Sequence, residues 1–189
     1  MSDRSERADR ARDRARALKG QRVEAVAAPF LFPTPPAIAR RVVELAAIEP
    51  GMRVLEPSAG TGALIDAMPF VVDVVAIEIN LGLVQRLRNL HPGISVIQAD
   101  FLNVGTGLGE FDRVIMNPPF DRGLDIKHIL HARSFLAPGR RLVAVCADGP
   151  RQREAFEPIA ELYESLPADA FVAQGTGVRT ALVVLESPS

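Results

Sequence analysis

M-R-V-L-E-P-S-A-G-T-G, Met52 to Gly62, joins a short apolar strand, a carboxylate and a glycine-rich turn. The run before Glu56 has the content of a buried strand, and G-A-L-I-D-A-M, Gly62 to Met68, reads as a short helix. A strand that enters a helix through glycines places backbone N–H groups at a helix N-terminus, where a ligand can approach closely. Ile65 stands where the third glycine of a G-x-G-x-x-G dinucleotide fingerprint would fall. No Lys-Ser/Thr follows, as a phosphate-binding loop would require. By itself the turn fits a structural role as well as a binding one.

The same alternation continues outward. Thr34 is expected to cap a helix with Pro35 at its first position, running through P-P-A-I-A-R-R-V-V-E-L-A-A-I. V-V-D-V-V-A-I-E-I is a buried strand and L-G-L-V-Q-R-L-R-N-L a helix. I-S-V-I-Q and D-R-V-I-M are the third and fourth strands. L-D-I-K-H-I-L-H-A-R-S-F-L is a helix ended by A-P-G, and R-L-V-A-V-C-A is the fifth strand. R-Q-R-E-A-F-E-P-I-A-E-L-Y is then expected as a helix, with D-A-F-V and T-A-L-V-V-L-E as the last two strands. The short A-Q-G-T-G-V-R link cannot make a parallel crossover, so these two form an antiparallel hairpin. The expected fold class is α/β, a doubly wound, mostly parallel seven-stranded sheet with a C-terminal antiparallel hairpin.

The 189 residues, 48% of them apolar, suffice for one domain with a substantial core, expected over 25–189. Residues 1–24 are a charged segment, expected to be a mobile arm or a DNA-contacting element. Up to Arg22 there are eight basic and four acidic side chains, whereas the rest of the chain is net acidic. Arginine outnumbers lysine 20 to 2, which weakens any single arginine as a sign of phosphate binding. A single cysteine, Cys146, excludes an internal disulfide framework and a cysteine-based zinc cluster. No apolar run approaches the roughly 20 residues of a membrane span, and the start of the chain lacks a secretory core, so a cytoplasmic location is expected.

In such a sheet, ligands bind beyond the carboxyl ends of the strands. Glu56 and Ser58 to Gly62 follow the first strand. Glu78 ends the second, where a carboxylate can accept from ribose hydroxyls or simply face solvent. Asp100 and Phe101 follow the third. They suit an adenine, through its amino group and its face, or alternatively a turn cap and a core ring. Asn117-Pro118-Pro119-Phe120 follows the fourth, either as a rigid turn or as a clamp.

E-P-S-A-G-T-G, A-I-E, A-D-F and N-P-P-F, in this order, resemble the seven-strand S-adenosylmethionine-dependent methyltransferases, a Rossmann-like fold. The amino-methylating branch, which includes the N6-adenine DNA methyltransferases, is the nearest pattern. F-L-F-P-T-P, Phe30 to Pro35, resembles the element those enzymes place against the methionine part of the cofactor. The resemblance implies S-adenosyl-L-methionine held by Phe32, Thr34, Glu56, Ser58, Gly60, Gly62, Glu78, Ile79, Asp100, Phe101 and Asn117. It implies a catalytic set of Asn117, Pro118 and Phe120, with Pro119 and Phe120 against the substrate.

That assignment has a physical basis. The lone pair of an exocyclic amino group is delocalised into its ring. The Asn117 side-chain oxygen and the Pro118 carbonyl would each accept one amino hydrogen and aim the lone pair at a methyl donor. The prolines fix the backbone, and Phe120 would stack on a base drawn from a helix. Thr176 and Arg179, in the loop before the last strand, are further substrate-contact candidates. His128 and His131 stand at i and i+3, but no third ligand accompanies them, so no metal site is expected. Cys146 lies inside a strand without an adjacent base, which disfavours cysteine-based cytosine methylation.

The expected reaction is methyl transfer to N6 of adenine, with DNA favoured over RNA as the nucleic-acid substrate. Without a target-recognition domain after Phe120, either weak specificity or a specificity-subunit partner is expected. Methylation of a protein glutamine amide and a non-catalytic cofactor-binding subunit are the alternatives.

Overall fold

The computed structural model describes residues 32–69 and 72–187. The elements are α1 (Pro36–Ala46), β1 (Arg53–Pro57), α2 (Ala63–Ala67), β2 (Asp73–Glu78), α3 (Leu81–Leu90), β3 (Ser95–Gln98) and β4 (Phe111–Met116). α4 (Leu124–Arg133), β5 (Leu136–Ala147), α5 (Pro150–Phe156), β6 (Leu162–Ser165) and β7 (Thr180–Glu186) complete them. Seven strands form one sheet in the order β3-β2-β1-β4-β5-β7-β6. β1 to β5 pair in parallel, and β7 runs antiparallel between β5 and β6. The expected fold class is the one observed.

Strand periodicity explains the near-continuous apolar runs. Val54, Val74, Ile115 and Val143 pack on one face with Val42 of α1, Leu64 of α2 and Leu87 of α3. Their neighbours Leu55, Val75, Val114 and Ala144 pack on the other with Ile129 of α4, Phe135 and Phe156 of α5. Both faces are covered, so successive residues must be apolar rather than alternate with polar ones. Parallel pairing from β3 to β5 brings the ends of these strands, and the residues after them, to a single rim. Asp125, fully buried at the start of α4, braces that rim by accepting from Ala147 N–H (3.0 Å) and from Gln152 Nε2.

Three local expectations are corrected. The partner of β7 is Leu162–Ser165, not D-A-F-V; Phe171 is instead a fully buried plug beneath the connection from β6 to β7. β5 begins at Leu136 and runs through A-P-G, because its pairing with β4 shifts register between Phe111 and Arg113 and absorbs Pro138 and Gly139. Pro35, not Thr34, occupies the N-cap of α1, with no side-chain cap; the Thr34 hydroxyl is used elsewhere. The charged arm, Phe30 and Leu31 lie outside the described residues.

Candidate active site

The loop after β1 turns through left-handed conformations at Ser58, Gly60 and Gly62. Gly62 has φ +84°, a conformation that favours glycine, and a Cβ there would press on the end of the Leu87 side chain of α3 at 2.8 Å. Gly60 faces a cavity of about 500 Å³ on the carboxyl ends of β1 to β4. Glu78, at the end of β2, fixes the loop from behind. Its Oε2 accepts from Gly60 N–H and its Oε1 from Asn80 N–H, both at 2.8 Å. The buried carboxylate therefore keeps a fixed orientation on the cavity wall, with lone pairs still available to hydroxyl donors.

Glu56 is 2% exposed and also lines the cavity, yet its Oε2 has no hydrogen-bond partner. Burial, reinforced by repulsion from Asp66 and Glu78, pushes its carboxyl well above the usual carboxylate range. A buried acid left in this condition calls for a donor or a cation from a ligand.

Asn117 is oriented by the segment before α1. Its Nδ2 donates to the Phe32 carbonyl (3.1 Å) and to the Thr34 hydroxyl (3.0 Å). A carbonyl can only accept, so this pair of contacts settles which end of the amide is nitrogen. The oxygen, Oδ1, is left buried and unpartnered at a residue that lines the cavity. Pro118, Pro119 and Phe120 line it as well. The Phe120 ring meets Phe171 edge-on, centroids 6.3 Å apart and planes at 85°.

Thirteen of the residues expected at the site line this cavity: Phe32, Thr34, Glu56, Ser58, Gly60, Glu78, Ile79, Asp100, Phe101, Asn117, Pro118, Pro119 and Phe120. Gly62, Thr176 and Arg179 do not. Gly62 is committed to α3; Thr176 Oγ1 accepts from Val178 N–H, and Arg179 is exposed with its carbonyl bonded to Asp148 N–H. Asp100 and Phe101 make the contacts of a turn cap and a core ring, and they also border the cavity. The Asp100 oxygens accept from Leu102 N–H and Asn103 Nδ2, and Phe101 packs against His131 and Phe135.

The structure adds His128, which the sequence brings up only as a metal ligand lacking partners, to the cavity wall. Its Nδ1 lies 3.3 Å from Ser58 Oγ, and burial lowers its pKa, favouring the neutral ring. The signal available in the sequence was its position one turn after Leu124, on the helix that follows the N-P-P-F strand end. His131 faces elsewhere, with Nε2 donating to Val104 C=O at 2.9 Å. Among the described residues no group of three or more His, Cys, Asp or Glu side chains is placed to hold a metal.

A seven-stranded sheet with this order, its antiparallel β7 and a cavity at the carboxyl ends of β1 to β4 define the class I S-adenosylmethionine-dependent methyltransferase fold. No protein-family model matches the chain. It is similar to the ribosomal RNA small subunit methyltransferase A of Chlorobaculum parvum, 34% identical over 110 residues covering 52% of this chain and 40% of that protein. The chain thus spans less than half the length of this curated relative. Among solved structures it resembles TrmN from Thermus thermophilus (TM-score 0.66, 24% identity, 81% of this chain and 49% of that one). It also resembles a dimethyladenosine transferase from Plasmodium falciparum (TM-score 0.65, 17% identity, 84% and 64%).

The cofactor implied by this fold and these relatives is S-adenosyl-L-methionine, and the residues present fit it. The unpartnered Glu56 carboxyl suits the ammonium of its methionine part, the oriented Glu78 carboxylate suits a ribose diol, and the Ile79 and Phe101 side of the cavity suits an adenine.

Proposed function

We propose that this chain is an S-adenosylmethionine-dependent methyltransferase acting on the exocyclic N6 amino group of adenine in RNA. The single observation that carries the reading is the buried, unpartnered Oδ1 of Asn117, a residue that lines the cavity and whose amide nitrogen is held by Phe32 and Thr34. The names of the relatives shift the proposed polymer from DNA to RNA, because they include a ribosomal RNA methyltransferase and a dimethyladenosine transferase. A separate specificity subunit finds no support in them.

When bound, the cofactor supplies an electrophilic sulfonium methyl. The protein's part is to hold the nitrogen. Asn117 Oδ1 and the Pro118 carbonyl each accept one amino hydrogen, drawing the lone pair out of conjugation and along the line of attack. Phe120, braced by Phe171, offers a ring on which the unstacked base rests. The nitrogen becomes acidic only once it carries the methyl, so its proton can leave to water and no strong base is needed.

The test is methyl transfer from labelled S-adenosylmethionine to RNA, DNA and protein side by side, with digestion of the product. Label recovered as N6-methylated adenosine from RNA supports the reading. Label confined to DNA or to glutamine, or no transfer despite tight cofactor binding, refutes it.

A further inference from the structure

Both hydrogens of the Asn117 side-chain amide are taken by a segment remote in sequence. Phe32 C=O and Thr34 Oγ1 are the acceptors, and Thr34 itself is 7% exposed. Asn117 thereby has one arrangement available. Turning the amide over would set its oxygen against the Phe32 carbonyl, and it would point N–H groups at an amino group that is itself a donor. The clamp of the proposed reaction depends on avoiding that arrangement, because two facing donors cannot share a hydrogen. Nothing on the β4 side supplies this control among the described residues: the only side-chain hydrogen bonds of Asn117 run to Phe32 and Thr34.

We propose that the Phe32–Thr34 segment is a positioning element for catalysis: the Phe32 carbonyl sets the polarity of the Asn117 amide and the Thr34 hydroxyl locks it. The role rests on the amino-methylating reading and deepens it. Phe32 and Thr34 also border the cofactor cavity, so the elements that surround the methyl donor and the group that aims the acceptor nitrogen are one connected unit. Thr34, whose position before Pro35 suggests a helix cap, spends its hydroxyl on the clamp. The N-cap of α1 is Pro35, whose ring offers no side-chain cap.

The experiment uses the full chain carrying Thr34→Val, which keeps the shape and removes the acceptor, and Thr34→Ser, which restores it. The first readout is hydrogen exchange of the Asn117 Nδ2 protons by NMR, assigned with Asn117→Asp; it needs no substrate. Loss of one of two hydrogen bonds is expected to speed this exchange about tenfold in Thr34→Val and leave Thr34→Ser close to wild type. The second readout is turnover at saturating cofactor, expected to fall roughly tenfold in Thr34→Val, with cofactor affinity within about threefold and recovery in Thr34→Ser. Unchanged Asn117 exchange in Thr34→Val overturns the proposal. So does a loss of activity that higher cofactor concentration restores, since Thr34 would then be a cofactor ligand only. If Thr34→Val fails to fold, Thr34→Cys, a weak acceptor of similar size, takes its place under the same criteria. A wild-type protein that methylates no adenine would sink the function reading, whereas the exchange experiment would still decide the positioning role.

Discussion

The Phe120 and Phe171 rings meet near-perpendicular, centroids 6.3 Å apart, so the last residue of N-P-P-F is held by the connection between β6 and β7. Phe171 is 1% exposed, whereas Phe120 remains part-exposed at the cavity. One ring is core and the other is open to the cavity.

Removing the presented ring should therefore cost substrate handling and little else. Phe120→Ala is expected to lower kcat/KM for RNA by about 5- to 150-fold, the range for loss of one base–aromatic stack, with cofactor affinity unchanged. Phe171→Leu should raise KM for RNA in the same direction by a smaller factor while retaining the fold. Steady-state kinetics beside calorimetric cofactor titration separate the two effects.

Glu78→Gln is predicted to weaken cofactor binding at least tenfold and to lower the melting temperature. A carboxylate satisfies the N–H groups of both Gly60 and Asn80, whereas an amide offers one oxygen and turns a donor toward the other N–H. Hydrogen bonds to a charged group contribute roughly 1.5–3 kcal/mol, enough for both effects. Calorimetry and thermal melts of the cofactor-free protein are the checks.

Glu56 sets stability against binding. Its folded-state pKa is raised above the ordinary 4.5, chiefly by burial. The contribution of such a group is fully present below its unfolded value and is lost as pH rises through the folded one. Without cofactor, Glu56→Gln should melt close to wild type near pH 4.5 and increasingly above it toward pH 8. If Glu56 is the partner of the cofactor's ammonium, as proposed, the same substitution should weaken cofactor binding, because a neutral amide replaces it. Melting curves across pH, with and without cofactor, show both signs.

Cys146 is fully buried in β5, and burial, with Asp125 nearby, pushes its thiol up to about 12. Folded protein should resist alkylation at neutral pH, and Cys146→Ala should retain turnover within about threefold, since a thiol in this state is a small core side chain. Loss of methyl transfer in that variant at unchanged melting temperature would point to cysteine chemistry instead.

The rim residues were legible because a parallel sheet sends its strand ends to one place, and Glu56, Glu78, Asp100 and Asn117 each follow an apolar run. The far edge was not. L-Y-E-S forms the edge strand β6, with no fully buried side chain, and so lacks the alternation that marks a half-buried strand. D-A-F-V looks like a strand, yet only its phenylalanine is buried, as a plug. The start of β5 was hidden by Pro138 and Gly139, which signal a break in sequence and a bulge in the sheet. Thr34 misled for a different reason: a hydroxyl before Pro35 reads as a cap, and only the fold brings Asn117 within 3.0 Å of it.

The central claim is that Asn117 Oδ1 is the acceptor that aims an adenine nitrogen at the methyl donor, and Asn117→Ala tests it most directly. Transfer of labelled methyl to adenosine in RNA is measured beside cofactor affinity. The account predicts that turnover falls by roughly 100-fold or more while affinity stays within about threefold, as for loss of a group that acts in the transition state. Turnover close to wild type in Asn117→Ala, at undiminished affinity, would contradict it.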